Sequence, residues 1–287
     1  MIRLNPRDPR GIVWLASYPK SGNTWLRAFL YHIVRLQNRR ADAGADVNEI
    51  HRVSKWEAKL DQPFAQVLGK PIEAASQSEI MRARAVVQAA IARQAGGVVF
   101  LKTHNVFGEY EGSATINPAV TIGGIYLVRD PRDIAQSLAR HNASSIDEAI
   151  DLMNMENCTT APEAGVFEVW GSWSQNVQSW AGGRNPSLLV LRYEDILDDP
   201  AKGLTAVVKH LRSGASRAQI AKAIDLSTFD KLQRQETERG FNGRSVKADR
   251  FFAIGKAGTW REALTAAQVE RIVSAHGKTM KQFGYLD

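Results

Sequence analysis

Two clusters of residues in this chain have the side chains for chemistry on an anion. The first is Lys20-Ser21-Gly22-Asn23-Thr24-Trp25, which stands between an apolar run at 11–16 and a segment with helical apolar spacing at Leu26, Phe29, Leu30, Ile33, Val34 and Leu36. A turn in that place aims a helix N-terminus at its ligand. The unpaired amides of the first turn and the positive end of the helix dipole favour an anion there. Gly22 lets the backbone come close, Lys20 supplies a point charge, and Ser21 and Thr24 add hydroxyl donors. The lysine precedes a single glycine, whereas nucleoside-triphosphate loops read G-x-x-x-x-G-K-[ST]. A plain strand-to-helix turn with a surface lysine is the alternative. The second cluster is Lys102-Thr103-His104-Asn105. Of six histidines, only His104 stands at the end of a strand-like run beside a lysine. Neutral imidazole titrates near physiological pH and can take a proton from a hydroxyl; a surface histidine at a strand terminus is the competing reading.

The elements that must hold these groups alternate along the chain. Continuous apolar runs at 11–16, 97–102, 122–128 and 187–192 read as strands buried on both faces. Helices are expected at 23–37, 131–141, 166–181, 199–212 and 216–224, with Pro131, Gly182-Gly183 and Asp198-Asp199-Pro200 marking termini. The alternation predicts an α/β fold: a single domain over 1–287 with a doubly wound central parallel sheet, whose ligands sit beyond the carboxyl ends of the strands. Two stretches break the pattern, 38–96 and 233–259. Both are expected as helical lids, the second for its glycines at 240, 243, 255 and 258; a solvated insertion is the alternative for the first.

Composition narrows the classes. The chain has 287 residues, 44% of them hydrophobic, and a net charge of +7, which suits a soluble globular protein with one large core. It has no apolar run long enough for a membrane span, and MIRLNPRDPR lacks the apolar core of a signal peptide, so a cytoplasmic location is expected. Cys158 is the only cysteine, which excludes an intrachain disulfide and a cysteine-cluster zinc site. The positive charge is scattered and matches no nucleic-acid-binding signature, so nucleic acid is not expected as a partner; the same charge would steer a multiply anionic small molecule.

The order Tyr18-Pro19-Lys20-Ser21-Gly22-Asn23-Thr24-Trp25 resembles the 5'-phosphosulfate loop of the cytosolic sulfotransferases, which use 3'-phosphoadenosine 5'-phosphosulfate (PAPS) and release PAP. Four further blocks extend the resemblance over nearly the whole chain. Lys102-Thr103-His104 is similar to the family's base-bearing sequence. Arg129, with Ser137 eight residues later, is similar to its 3'-phosphate motif; Arg129 paired with Asp130 or Asp133 is the alternative, and Arg132 is assigned to that acidic network. Gly171 to Trp180 followed by Tyr193-Glu194-Asp195, and then Ser227-Thr228-Phe229, match the adenine-side blocks, with Trp173 and Trp180 read as core.

The resemblance implies His104 as base, Lys20 on the leaving oxygens, Lys102 on the sulfuryl oxygens, and Ser137 restraining Lys20. It also implies donor contacts from Lys20, Ser21, Gly22, Asn23, Thr24, Trp25, Arg129, Ser137, Tyr193, Ser227, Phe229, Phe252, Gly255 and Lys256, with no metal. One block departs. Ala253-Ile254 replaces the basic pair of the family's R-K-G-x-x-G-x-W, so Lys256, Arg250 or Arg244 is expected to supply that charge. Arg261 to Glu270 partly resembles a dimerisation sequence, with a terminal helix facing its own core as the alternative. The acceptor is expected to be a small molecule or carbohydrate bearing a hydroxyl, less readily an amine; Trp56, Phe64, Phe107 and Tyr110 either line its site or belong to the core. A P-loop-type kinase or NTPase and a non-catalytic nucleotide-binding module remain as rival functions.

Overall fold

A computed structural model describes residues 10–38, 45–161 and 165–287. The first nine residues and 39–44 of the expected first lid lie outside that set. The strands among the described residues are β1 (Gly11–Ser17), β2 (Ser54–Trp56), β3 (Val98–Thr103), β4 (Glu109–Tyr110), β5 (Ser113–Ala114), β6 (Thr121–Val128) and β7 (Leu188–Arg192). Five form one central parallel sheet in the order β2-β3-β1-β6-β7, and β4 and β5 make a small antiparallel hairpin. The helices are α1 (Asn23–Gln37), α2 (Asp61–Leu68), α3 (Gln77–Ala95), α4 (Pro131–Asn142), α5 (Ile146–Asn154), α6 (Trp173–Ala181), α7 (Tyr193–Asp198), α8 (Pro200–His210), α9 (Arg217–Leu226), α10 (Phe229–Arg239), α11 (Trp260–Ala263) and α12 (Ala266–Gln282). The α/β architecture expected from the apolar runs is present. In this strand order the chain leaves β1 toward β3 and later crosses to β6, so the topological switch point lies at the carboxyl ends of β1 and β6.

One expected helix is shorter than its sequence suggests. Over 166–181 only Trp173–Ala181 is helical, while Val169 pairs with Thr159 in an isolated antiparallel bridge. Gly171 takes φ +62°, and Ser172 with Gln175 forms a capping box that starts the helix at Trp173. The residues before that box are therefore not helical, and Glu168 lies beside the end of β3, where it meets the His104 backbone N–H.

Chain contacts divide the protein into two compact units. The first comprises the chain up to Pro19 together with Ser54–Tyr126 and Leu152–Val190. Its β1 and β3 pair in parallel, with Ala16 opposite Thr103. Residues from Ser54 on, expected within a lid, supply β2 at the sheet edge and α3. Ile80, Met81 and Val87 of α3 are buried with Phe64, Ile72, Val166 and Phe167 in one apolar cluster. The same helix carries Arg84, fully buried, whose guanidinium meets Glu57 at 3.1 Å and donates to the Phe167 carbonyl at 2.6 Å. Glu57 also accepts from Gln88 at 2.7 Å and from Asn105 at 2.8 Å. Among the expected acceptor-site aromatics, Phe64 is core, Tyr110 packs on Phe167, and Phe107 packs on Trp180. Trp173 and Trp180 are buried.

The second unit comprises Lys20–Val53, Leu127–Asp151 and Leu191–Asp287. Here α1 packs on α9, and α12 packs on α4 with Ile272 and Met280 buried. A second apolar cluster gathers Ala28, Tyr31, Val47, Ile50, Leu232 and Phe252.

The buried Arg84–Glu57 pair yields a stability prediction. Removing one partner leaves the other charge uncompensated, so Arg84→Met is expected to lower the unfolding free energy by about 3–5 kcal/mol. Urea denaturation measures it, and a loss below about 1 kcal/mol, the range of exposed ion pairs, would contradict the assignment.

Candidate active site

In the second unit, the loop after β1 takes a strained shape. Lys20 has φ +67°, a conformation that non-glycine residues rarely adopt, and Gly22 has φ +94°. A Cβ on Gly22 would lie 2.7 Å from the Tyr193 ring, so glycine is required for packing as well as for backbone shape. Gly22 is the N-cap of α1, no side chain caps that end, and its first turn carries no acidic residue. The helix N-terminus is therefore uncompensated by protein groups of opposite charge.

Arg129 follows β6 directly and ties the loop together. It donates to the Lys20 carbonyl at 3.0 Å and to the Lys256 carbonyl at 3.2 Å, and its guanidinium lies 4.3 Å from the centre of the Tyr193 ring. Tyr193 in turn meets Trp25 edge to face at 5.9 Å. Arg129 does not join the acidic network. It is Arg132 that pairs with Asp130 at 2.8 Å, donates to the Tyr285 carbonyl, and covers Trp260. Two buried polar atoms of the loop region, Ser21 Oγ and Arg129 Nε, have no hydrogen-bond partner among the described residues. Both atoms keep hydrogen-bonding capacity that the described residues do not use.

The remaining expected donor contacts fall close by, with differences. Phe229 stacks directly against Gly255, where a Cβ would come within 2.4 Å of the ring, and it meets Phe252 at 6.3 Å. Ser137 is half-buried on α4, two turns beyond Arg129. Ser227 is fully buried, and its hydroxyl donates to the Ala223 carbonyl at 2.8 Å, so its own helix already uses that proton. The altered loop at 251–260 is held by two carboxylates: Glu236, which sequence reading passed over, and Asp133, which it assigned to an acidic network with the arginines. Glu236 accepts from the amides of Phe251 and Phe252 at 2.7 and 2.9 Å. Asp133 accepts from those of Gly258 and Trp260 at 2.7 and 3.0 Å. Phe251 places its ring 4.2 Å from the Lys20 ammonium. Of the three residues expected to replace the basic pair, Lys256 is the one whose main chain Arg129 grips; Arg244 is exposed and donates to the Asp249 carbonyl.

Lys20 bears the electrostatic consequence. Burial, and then the charges of Arg129 and Arg140, lower its pKa to about 7, with Glu236 opposing. Burial is the main reason that ammonium releases its proton so readily, and the two arginines add to it.

In the first unit, His104 follows β3 and is 6% exposed. Its Nδ1 lies 2.7 Å from the Ser17 carbonyl oxygen. A carbonyl only accepts, so Nδ1 carries the hydrogen and Nε2 holds the basic lone pair. The His104 main chain is gripped at both ends: its N–H donates to Glu168 at 2.8 Å and its carbonyl accepts from Asn176 at 2.8 Å. Lys102 sits 3.4 Å from the centre of the Trp56 ring. Trp56 and Trp170, both half-buried, meet the imidazole nearly at right angles, with ring centres at 6.1 and 6.4 Å.

Residues 10–284 match the sulfotransferase domain model. The chain belongs to the sulfotransferase family. The expected family, enzyme class and fold therefore hold. Cytosolic sulfotransferase 17 of Arabidopsis thaliana is 23% identical over 299 residues, covering 95% of this chain and 75% of that protein. Human sulfotransferase 1C2 is 27% identical over 118 residues, a match that spans 39% of this chain and 40% of the relative's length. The crystal structure of retinol dehydratase in complex with retinol and PAP superposes with a TM-score of 0.62 at 20% identity, covering 95% of this chain and 82% of that one. At that identity the likeness is one of fold.

The depressed Lys20 pKa predicts that binding of PAP, a polyanion, is linked to proton uptake. Lys20 is charged below about pH 7 and loses its proton above it, whereas a bound anion favours the charged form. PAP affinity should thus fall as pH rises from 7 to 9, by up to about tenfold per unit for one linked proton. Calorimetry in buffers of different ionisation enthalpy reads the uptake directly; buffer-independent enthalpies at pH 8 would contradict it. In the same titrations Lys256→Ala should weaken PAP binding, and Arg244→Ala should not.

Proposed function

We propose that this chain transfers the sulfuryl group of PAPS to a hydroxyl of a small-molecule or carbohydrate acceptor, with an amine as the lesser alternative. The observation that carries the reading is the donor set around Lys20: a depressed ammonium, an uncapped helix N-terminus, and the buried Ser21 Oγ and Arg129 Nε without protein partners. These groups suit a nucleotide with phosphates at two positions. Lys20, Ser21, Asn23 and Thr24 would hold its 5' end, and Arg129 with Ser137 its 3'-phosphate. Trp25, Tyr193 and Phe229 would enclose the purine, as aromatic rings do. Gly255, Phe252 and Lys256 would complete the 3' side with main-chain and charge contacts.

PAPS, when bound, supplies an activated sulfuryl group on a phosphate leaving group. His104 Nε2 takes the acceptor's proton as its oxygen attacks. Lys20 offsets charge developing on the bridging oxygen, and Lys102 does so for the sulfuryl oxygens, the preorganised role that contributes most to such transfers. Ser137 restrains Lys20 until the acceptor arrives. Because sulfuryl transfer is a loose in-line displacement, positioning supplies much of the rate. Trp56 and Trp170 beside His104 favour an acceptor with a flat apolar face, in keeping with a relative of this fold crystallised with retinol. No helix among the described residues is long and apolar enough to cross a membrane. We place the protein in the cytoplasm because a relative matched over 95% of this chain is named a cytosolic sulfotransferase.

Incubation with labelled PAPS and a panel of phenols, alcohols, amines and glycans, with and without magnesium, tests the proposal. Turnover of PAPS without magnesium and none of ATP is expected. His104→Ala should lose on the order of 100-fold or more in kcat while PAP binding persists. A His104→Ala variant with wild-type kcat would contradict the assigned base, and absence of turnover with every acceptor class would favour a binding module.

A further inference from the structure

One buried carboxylate of the first unit has no part in the roles above. Glu168 is 1% exposed and lies in the non-helical stretch before α6. Its Oε1 accepts the His104 backbone N–H at 2.8 Å and the Trp56 indole N–H at 3.1 Å; its Oε2 accepts the Trp170 indole N–H at 3.4 Å. Its main chain is pinned by reciprocal bonds with Thr160, both at 2.9 Å. The next amide, that of Val169, donates to Asn105 at 2.7 Å. Trp56, one of its donors, is also the ring that faces the Lys102 ammonium. A carboxylate buried this deeply is costly unless donors and a cation compensate it. The donors to its carboxylate are the His104 main chain and the two indoles that flank the imidazole at the end of β3.

We propose that Glu168 is a positioning residue for sulfuryl transfer: one carboxylate fixes the His104 main chain, balances Lys102, and orients the two tryptophans that flank the imidazole. The proposal rests on the reading of His104 as base and Lys102 as sulfuryl-holding cation. Its geometry explains why three side chains, Trp56 of β2, Lys102 of β3 and Trp170, share one arrangement with the His104 main chain, since each is bonded to, or charge-balanced by, the same group. Lys102 and Glu57 act on Glu168 through their charges, and His104 through its backbone N–H. Burial raises its pKa, while Lys102 and the donated hydrogen bonds pull it back. Glu57 has its own partners in Arg84, Gln88 and Asn105. Neutralising Glu168 removes a negative charge that acts on Lys102 beside His104, and losing that negative charge disfavours the imidazolium.

The test compares full-length wild type, Glu168→Gln, Glu168→Asp and His104→Ala with PAPS and 2-naphthol, or with whichever acceptor of the panel is turned over fastest. Calorimetry with PAP and indole N–H resonances of 15N-labelled protein are measured alongside. Glu168→Gln should lower kcat on the order of 10- to 100-fold, as small misplacements of catalytic groups do, with PAP affinity unchanged. The acid limb of its kcat/KM profile should move to lower pH, and the Trp56 and Trp170 indole resonances should shift upfield. Glu168→Asp, which keeps the charge, should restore the acid limb and part of kcat. Wild-type kcat and an unmoved acid limb in Glu168→Gln, with His104→Ala inactive, would overturn the proposal. An active His104→Ala would instead overturn the assignment of the base. Should Glu168→Gln fail to fold by circular dichroism, Trp56→Phe replaces it, removing one donor while keeping a ring against Lys102. Lower kcat at unchanged PAP affinity supports the proposal, and wild-type kcat overturns it.

Discussion

The hydrogen bond from His104 Nδ1 to the Ser17 carbonyl is the contact on which the proposed chemistry depends. It exists because β1 and β3 are parallel neighbours in register, with Ala16 opposite Thr103, so that the last residue of β1 meets the residue just beyond β3. A neutral histidine has one donor and one acceptor nitrogen. Spending the donor on a main-chain carbonyl leaves the acceptor for a substrate proton. The rest of the first unit serves this contact: Glu168 and Asn176 clamp the His104 main chain, and Tyr126, whose hydroxyl donates to Asn176 at 2.8 Å, braces the clamp.

The second unit faces the opposite problem, which is to keep positive charge together without losing it. Lys20, Arg129 and Arg140 repel one another, and burial adds to the cost. The fold holds them through main-chain bonds and aromatic faces more than through ion pairs: Arg129 bonds two carbonyls and lies over Tyr193, and Lys20 faces Phe251. Rings stabilise a cation only modestly, and the αL backbone at Lys20 adds strain. Such a site gains most when an anion arrives. The carboxylates of Glu236 and Asp133 are turned to backbone amides of the 251–260 loop, so they fix its shape while their charge is spread over those donors.

Much of this was legible in the residues because it is local. Continuous apolar runs marked β1, β3, β6 and β7 to within a residue or two, and a lysine before a lone glycine marked the loop at the end of β1. Less was legible where tertiary contacts decide. The three residues of β2 carry too short a pattern to read as a strand, yet they complete the sheet edge and deliver Trp56 to Lys102. The span 166–172 has apolar residues consistent with a helix, but the Ser172/Gln175 capping box, a signal present in the sequence, starts α6 later. Glu168 in Val166-Phe167-Glu168-Val169 looks like one acid among apolar neighbours; only the pairing of distant segments brings three N–H donors to it. Ser227 has the right spacing for a nucleotide contact, but spacing cannot reveal that its hydroxyl proton is taken by its own helix.

The most direct measurement is the tautomer of His104 by 15N NMR of histidine-labelled protein at neutral pH, with His104→Gln assigning the resonance. The geometry predicts a pyrrole-like, protonated Nδ1 and a pyridine-like Nε2. A protonated Nε2 with a bare Nδ1 would contradict it, because the nitrogen left to accept a proton would then face Ser17 instead of substrate.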